Sequence, residues 1–302
     1  MTQNRRAFLQ TAAFAAAGIP LLSSTSFGKE YLAKSPFKIS LAEWSLHKAL
    51  FAKEMTNLDF PVRAAKEFGI LGVEYVSTFF KDTSTEYLND LLKITKDNNI
   101  TNVLIMVDAQ GSLGDKDESL RNKAVENHHR WVEAAKFLGC HSIRVNAAGR
   151  GTEAEVADAV VESLTSLSTF ASKLKINVVV ENHGGYSSNG KWLSGVMKRV
   201  NLKNCGTLPD FGNFRLSPTE EYDRYLGIAE LMPYAKGVSA KSNDFDAEGN
   251  EVKFDFYRIM KIVKDSGYKG WIDVEYEGTR LSEPEGIMAT KQLLQKAFAS
   301  VA

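Results

Sequence analysis

Short runs of aliphatic and β-branched residues alternate with longer stretches whose apolar residues recur every three or four positions, from Lys38 almost to the end of the chain. The strand-like runs are Lys38–Ala42, Gly72–Val76, Asn102–Val107, Ser142–Asn146, Asn177–Glu181, Gly206–Asp210, Lys236–Lys241 and Trp271–Glu275. Their length and bounding turn residues read as buried strands. Between them lie amphipathic helical patterns, among them Phe60–Phe68, Thr85–Asp97, Leu120–Leu138, Ala154–Leu174 and Phe254–Asp265. Gly69, Gly139 and Gly267 fall just past three of these patterns, where a left-handed C-cap favours glycine. Strand followed by helix, eight times over, predicts an α/β protein with a closed parallel sheet, a single (β/α)8 barrel. An open doubly wound sheet usually carries a glycine-rich phosphate loop after its first strand, and Leu41-Ala-Glu-Trp-Ser45 has none. No low-complexity linker divides the pattern, so residues 29–302 are expected to form one domain.

Residues 1–28 follow a different pattern. Arg5 and Arg6 precede Phe8 and Leu9, an alanine-rich apolar stretch runs to Leu22, and small polar residues follow. This is the layout of an export signal of the twin-arginine type. The apolar part, interrupted by Pro20, is shorter than the roughly 20 residues that span a bilayer. The expectation is passage through the twin-arginine machinery, cleavage near Lys29, a periplasmic mature protein and no stable membrane insertion after processing. The 302 residues carry 37 Lys+Arg against 37 Asp+Glu, so no overall positive field draws the chain to nucleic acid. Cys140 and Cys205 are too few for a disulfide framework and read as two separate buried thiols.

In a barrel of this kind the site lies at the C-terminal ends of the strands. The strand ends here carry Glu43-Trp44, Glu74, Asp108, Arg144 with Asn146, Glu181-Asn182-His183, Asp210, Lys241 and Glu275. Glu43, Glu74, Glu181, Asp210 and Glu275 crowded at one mouth would repel one another. A divalent cation with oxygen ligands would compensate them, together with Lys241 and Arg144. His183 stands at the expected mouth and is a candidate acid, base or hydroxyl ligand. His128 and His129 read as a polar helix face, His141 as the wrong end of the barrel and His47 as loop. Trp44, Tyr75, Phe79, Phe80, Tyr186, Trp192, Phe211, Phe214 and Tyr276 are candidates to stack on a ligand and exclude water, Phe211 and Phe214 foremost because they follow Asp210. The acidic stretch Asn243–Glu251 has calcium-loop spacing without the rest of that pattern, and reads as a solvated hairpin.

Four segments carry a resemblance to a known family: Val178-Val-Val-Glu-Asn-His-Gly-Gly185, Gly206-Thr-Leu-Pro-Asp-Phe-Gly-Asn213, Gly237-Val-Ser-Ala-Lys-Ser242 and Ile272-Asp-Val-Glu-Tyr-Glu-Gly278. They resemble strands five to eight of the xylose-isomerase-like barrel superfamily of sugar (phosphate) isomerases, epimerases and lyases. The resemblance implies that Glu181 and Glu275 bind a divalent metal (manganese, magnesium or zinc) and act as an acid–base pair, and that Asp210 is a further ligand; Lys241 and His183, read from their own chemistry at the strand ends, would assist. It depart from the family at two histidine positions, which match Ser239 and Asn213. Glu74, Arg144, Asn146, Asn213, Trp44 and Phe211 are the expected substrate contacts. The implied activity is metal-assisted proton abstraction beside the carbonyl of an unphosphorylated sugar, as an isomerase or epimerase. A lyase or hydratase acting on a 3-keto-sugar or inosose, and a sugar-binding barrel without catalysis, fit the same residues. A homodimer is a common assembly for such folds.

Overall fold

The computed structural model describes residues 37–301. The expected export signal at residues 1–28, and the boundary at residue 29, lie outside these described residues. Eight strands form one parallel sheet: β1 (Lys38–Ala42), β2 (Gly72–Val76), β3 (Thr101–Met106), β4 (Ser142–Asn146), β5 (Asn177–Glu181), β6 (Cys205–Leu208), β9 (Val238–Ser242) and β10 (Trp271–Tyr276). A small antiparallel hairpin, β7 (Arg215–Ser217) with β8 (Glu220–Glu221), is inserted after β6. The ladder runs β6-β5-β4-β3-β2-β1-β10-β9. The ring then comes together between β6 and β9 through isolated parallel bridges, Thr207 with Ala235 and Asp210 with Ser239. This is the (β/α)8 barrel that the periodicity predicts.

Local chemistry places the ends of the elements. Gly69 and Gly139 cap their helices in the left-handed conformation, at φ 61° and 79°, where a Cβ would cost energy. Thr152 and Glu155 form a reciprocal capping box at the start of the helix Glu153–Lys173, satisfying two otherwise orphan donors. Strand β6 ends at Leu208 rather than Asp210 because Pro209 has no N–H to give the ladder; its carbonyl instead accepts the N–H of Ser239. The large apolar core lies between sheet and helices. A smaller cluster including Ala42, Leu104, Met106, Val179 and Leu208 packs together, with Trp271, Trp44 and Phe79 against it. Among the described residues no helix is long and apolar enough to cross a membrane.

Two local expectations are corrected and a third is met. His128 is buried in the helix Glu118–Leu138 and its Nδ1 lies 2.7 Å from the Ala124 carbonyl, because its register falls one turn from Ala124 on the inner face. Only His129 keeps partial exposure, stacked on Phe170 at 3.8 Å. His47 opens a short helix, His47–Phe51, with Nδ1 2.7 Å from the Trp44 carbonyl. The stretch from Asn243 is a hairpin in which Phe245 pairs with Glu251. Asp246 Oδ1 accepts the N–H groups of Glu248 and Asn250, so its acid spacing serves the turn.

Candidate active site

Three carboxylates from separate strands converge at the C-terminal end of the barrel. Glu181 is the last residue of β5, Asp210 follows β6 after Pro209, and Glu275 lies one residue before the end of β10. One oxygen from each lies within 4.8 Å of the others, although the three side chains are buried. Glu181 Oε1 accepts the Asn213 amide at 3.0 Å. Asp210 Oδ1 accepts the backbone N–H groups of Gly212 and Asn213, both at 2.7 Å. Its other oxygen, Oδ2, has no hydrogen-bond partner. Glu275 Oε2 accepts the Ser239 hydroxyl at 2.8 Å. Asn182 fixes the β5–β6 junction, accepting the Asp210 N–H while donating to the carbonyls of Asp210 and Asn213.

Two buried cations answer these acids. Lys241 Nζ, on β9, lies 3.7 Å from Asp210 Oδ2, 3.6 Å from Glu275 Oε1 and 3.3 Å from Glu277 Oε2. Arg144 Nε is 2.9 Å from Glu181 Oε2 without hydrogen-bond alignment, while its Nη1 donates to Asp108 at 2.7 Å. Asn146 donates to the same Asp108 oxygen. Burial alone would discharge Lys241, but Asp210, Glu275 and Glu277 hold its pKa well above the ordinary value. Burial pushes Glu275 up to about 8 and Asp210 up to about 6, against the pull of Lys241. Asp108 is also raised by burial, yet Arg144 brings it below the usual carboxylate range.

Several expected contacts lie elsewhere. Glu74 is 1% exposed and accepts the Ser40 hydroxyl at 2.6 Å. Ser40 pairs in register with Asp273, two residues before Glu275, so Glu74 belongs to a layer beneath the site and does not reach a ligand at the mouth. Glu43 is fully buried as well, bonded to Asn57 and the Val76 N–H. Phe211 is fully buried edge-on to Phe256, and Phe214 is fully buried beneath Arg224. Both belong to the core because the bend after Pro209 turns them away from the mouth. Tyr75, Phe80, Trp192 and Tyr276 are likewise core. Trp44 and Phe79 remain half-buried at the strand ends, and the Trp44 indole N–H donates to Glu277. His183 is exposed just past β5, its N–H donated to Ser187. Glu277 is the member of the site that sequence reading omits. The signal for it is the two-residue repeat from Glu275, which returns the side chain to the same face of β10.

The donor set fits a hard divalent cation. It is all oxygen, three acids converge, and the buried Asp210 Oδ2 accepts no hydrogen bond, as a coordinating position would not. Imidazole, which zinc prefers, is absent from the triad, and Ser239 is committed to Glu275.

A closed (β/α)8 sheet with buried acids gathered at the C-terminal ends of its strands defines a barrel of the kind that holds small polar ligands at that face. Residues 62–297 match the family described as xylose isomerase-like TIM barrel, and the chain belongs to it. Solved structures share the fold at low identity. The IOLI protein with a bound zinc atom is 16% identical, with TM-score 0.69, and the match covers 88% of this chain and 99% of that one. A D-psicose 3-epimerase with D-tagatose from Clostridium cellulolyticum H10 is 14% identical, with TM-score 0.64, covering 87% and 98%. A xylose isomerase-like TIM barrel protein from Mycobacterium smegmatis in complex with magnesium is 16% identical, with TM-score 0.65, covering 90% and 99%. No curated protein matches the chain in sequence.

Proposed function

We propose that this protein is a sugar isomerase or epimerase that moves a proton on a carbon beside a carbonyl. The observation that carries the reading is the meeting of Glu181, Asp210 and Glu275 within 4.8 Å, buried, with no hydrogen bond to Asp210 Oδ2. These three residues would hold the divalent cation, which when bound supplies Lewis-acid polarisation of sugar oxygens. The protein's own groups do the rest. Glu181, ion-paired with Arg144, takes the proton from carbon, and Glu275 returns one from the other side. Lys241 stabilises the negative charge that develops on oxygen. Asn213 and Ser239 orient Glu181 and Glu275 through one hydrogen bond each. Trp44 and Phe79 supply an apolar wall that excludes water, and His183 stands at the entrance. The names of the structural neighbours, which include a psicose 3-epimerase and a magnesium complex, agree with this reading. Export by residues 1–28 would place the enzyme in the periplasm, among sugars without phosphate.

Metal content of chelator-free protein tests the proposal, beside Glu181→Gln and Asp210→Asn. Near-stoichiometric manganese or magnesium that both substitutions abolish, followed by metal-dependent deuterium uptake from heavy water into a ketose such as D-tagatose, is the expected result. Protein that binds no divalent ion even when it is supplied refutes the metal-assisted reaction.

A further inference from the structure

A cleft of about 270 Å³ opens beside Lys241, between the loops that follow β6 and β9. That volume has room for about one sugar ring. Its walls include Asn213, Lys241 and Glu277, which belong to the site already described, so the cleft is continuous with it. The remaining charged walls are Arg215, Arg224, Lys253 and Glu221. Four cations therefore face two carboxylates in a chain whose net charge is zero.

Their existing partners decide which charges are available. Lys241 is shared among three acids. Arg224 donates to the Phe211 carbonyl, lies 3.6 Å from Glu221 and covers the Phe254 ring at 4.3 Å. Among the described residues the Lys253 ammonium bonds only to the neutral Asn243 side chain, while its backbone N–H is donated to Glu251. The exposed Arg215 side chain has no hydrogen bond or ion pair among the described residues. Arg215, on the inserted hairpin opposite Glu221, and Lys253, on the segment after β9, thus bring to one cleft two positive charges that make no ion pair among the described residues. A guanidinium with its full fork free pairs two-pronged with a carboxylate or phosphate. Nothing in proton transfer at Glu181 and Glu275 requires those charges.

We infer that the substrate is an acidic sugar, whose anionic group sits between Arg215 and Lys253 while its reacting carbon lies between Glu181 and Glu275. This rests on the isomerase or epimerase reading and adds the substrate class to it. The periplasmic reading points to the carboxylate of a uronic acid, and a phosphate ester is the other source of the same charge.

Titration calorimetry on the full chain loaded with manganese separates them. The ligands are methyl β-D-glucuronide, methyl β-D-glucoside 6-phosphate and the neutral methyl β-D-glucoside. The glucuronide is expected to bind at least about tenfold tighter than the neutral glycoside, and a preference for the phosphate ester instead overturns the assignment to a uronic acid. Arg215→Gln with Lys253→Gln should reduce that preference below about threefold and leave manganese binding and affinity for the neutral glycoside in place. Equal affinity for all three ligands, no binding of any of them, or a preference that survives both substitutions overturns the inference. Absence of manganese binding to the unsubstituted chain refutes instead the reading on which it rests.

Discussion

Replacing Lys241 by Met removes the one ammonium among three acids while keeping most of the side chain's volume. Each contact, at 3.3 to 3.7 Å, corresponds to roughly 4–5 kcal/mol of gross attraction at an effective dielectric of 20. The desolvation of the buried ammonium offsets much of the sum, and the stranded acids can take up protons. What should remain is the cost of breaking a buried pair, about 3–5 kcal/mol. For a chain of this size that is a fall in melting temperature of roughly 6–20 °C. The assay is urea and thermal unfolding of both proteins, in chelator and in saturating manganese. In chelator the variant should show the full loss. In manganese the deficit should shrink, because the cation binds the folded state and restores positive charge to the same carboxylates. A deficit below about 1 kcal/mol in chelator would refute the reasoning, since it would mean that Asp210, Glu275 and Glu277 do not depend on Lys241.

Two further expectations concern the frame around the site. Burial holds Glu43 protonated up to about pH 8, far above its ordinary 4.5. Between those values the folded chain binds a proton that the unfolded chain has released, so stability falls as pH rises, by at most ~1.4 kcal/mol per pH unit from this group. Glu43→Gln should flatten that part of the urea-midpoint profile, and an unchanged slope would contradict it. Gly286 meets Tyr276 so closely that an added Cβ would lie 2.2 Å from the ring. Gly286→Ala should destabilise the chain by about 1–3 kcal/mol and, through β10, weaken manganese binding at Glu275; calorimetry that finds both unchanged would show the ring free to move.

The barrel was legible because its strands are short aliphatic runs and its helices repeat every three or four residues, signals that need no tertiary context. The triad was legible for a related reason: in this topology the end of a strand is a place in space. Glu74 and Phe211 mark the limits of that logic. Depth along a strand separates the layer of Glu74 from that of Glu275, and only the pairing of Ser40 with Asp273 shows it. A single proline redirects Phe211 into the core. Arg215 and Lys253 belong to loops whose course depends on packing, so their meeting across a cleft has no counterpart in local pattern.

The seam between β6 and β9 bears on how such a site changes over time. Elsewhere around the ring adjacent strands are joined by ladders of three or more residue pairs, and shifting one of them moves several residues together. At the seam, the Thr207–Ala235 and Asp210–Ser239 bridges and the Ser239 N–H donated to the Pro209 carbonyl are the principal ties. The spacing between Asp210 and the Glu275 side of the mouth therefore has its own adjustable joint. Substitutions at residues 209 and 239 offer a route to retuning the acid geometry that leaves most other strand junctions of the barrel as they are.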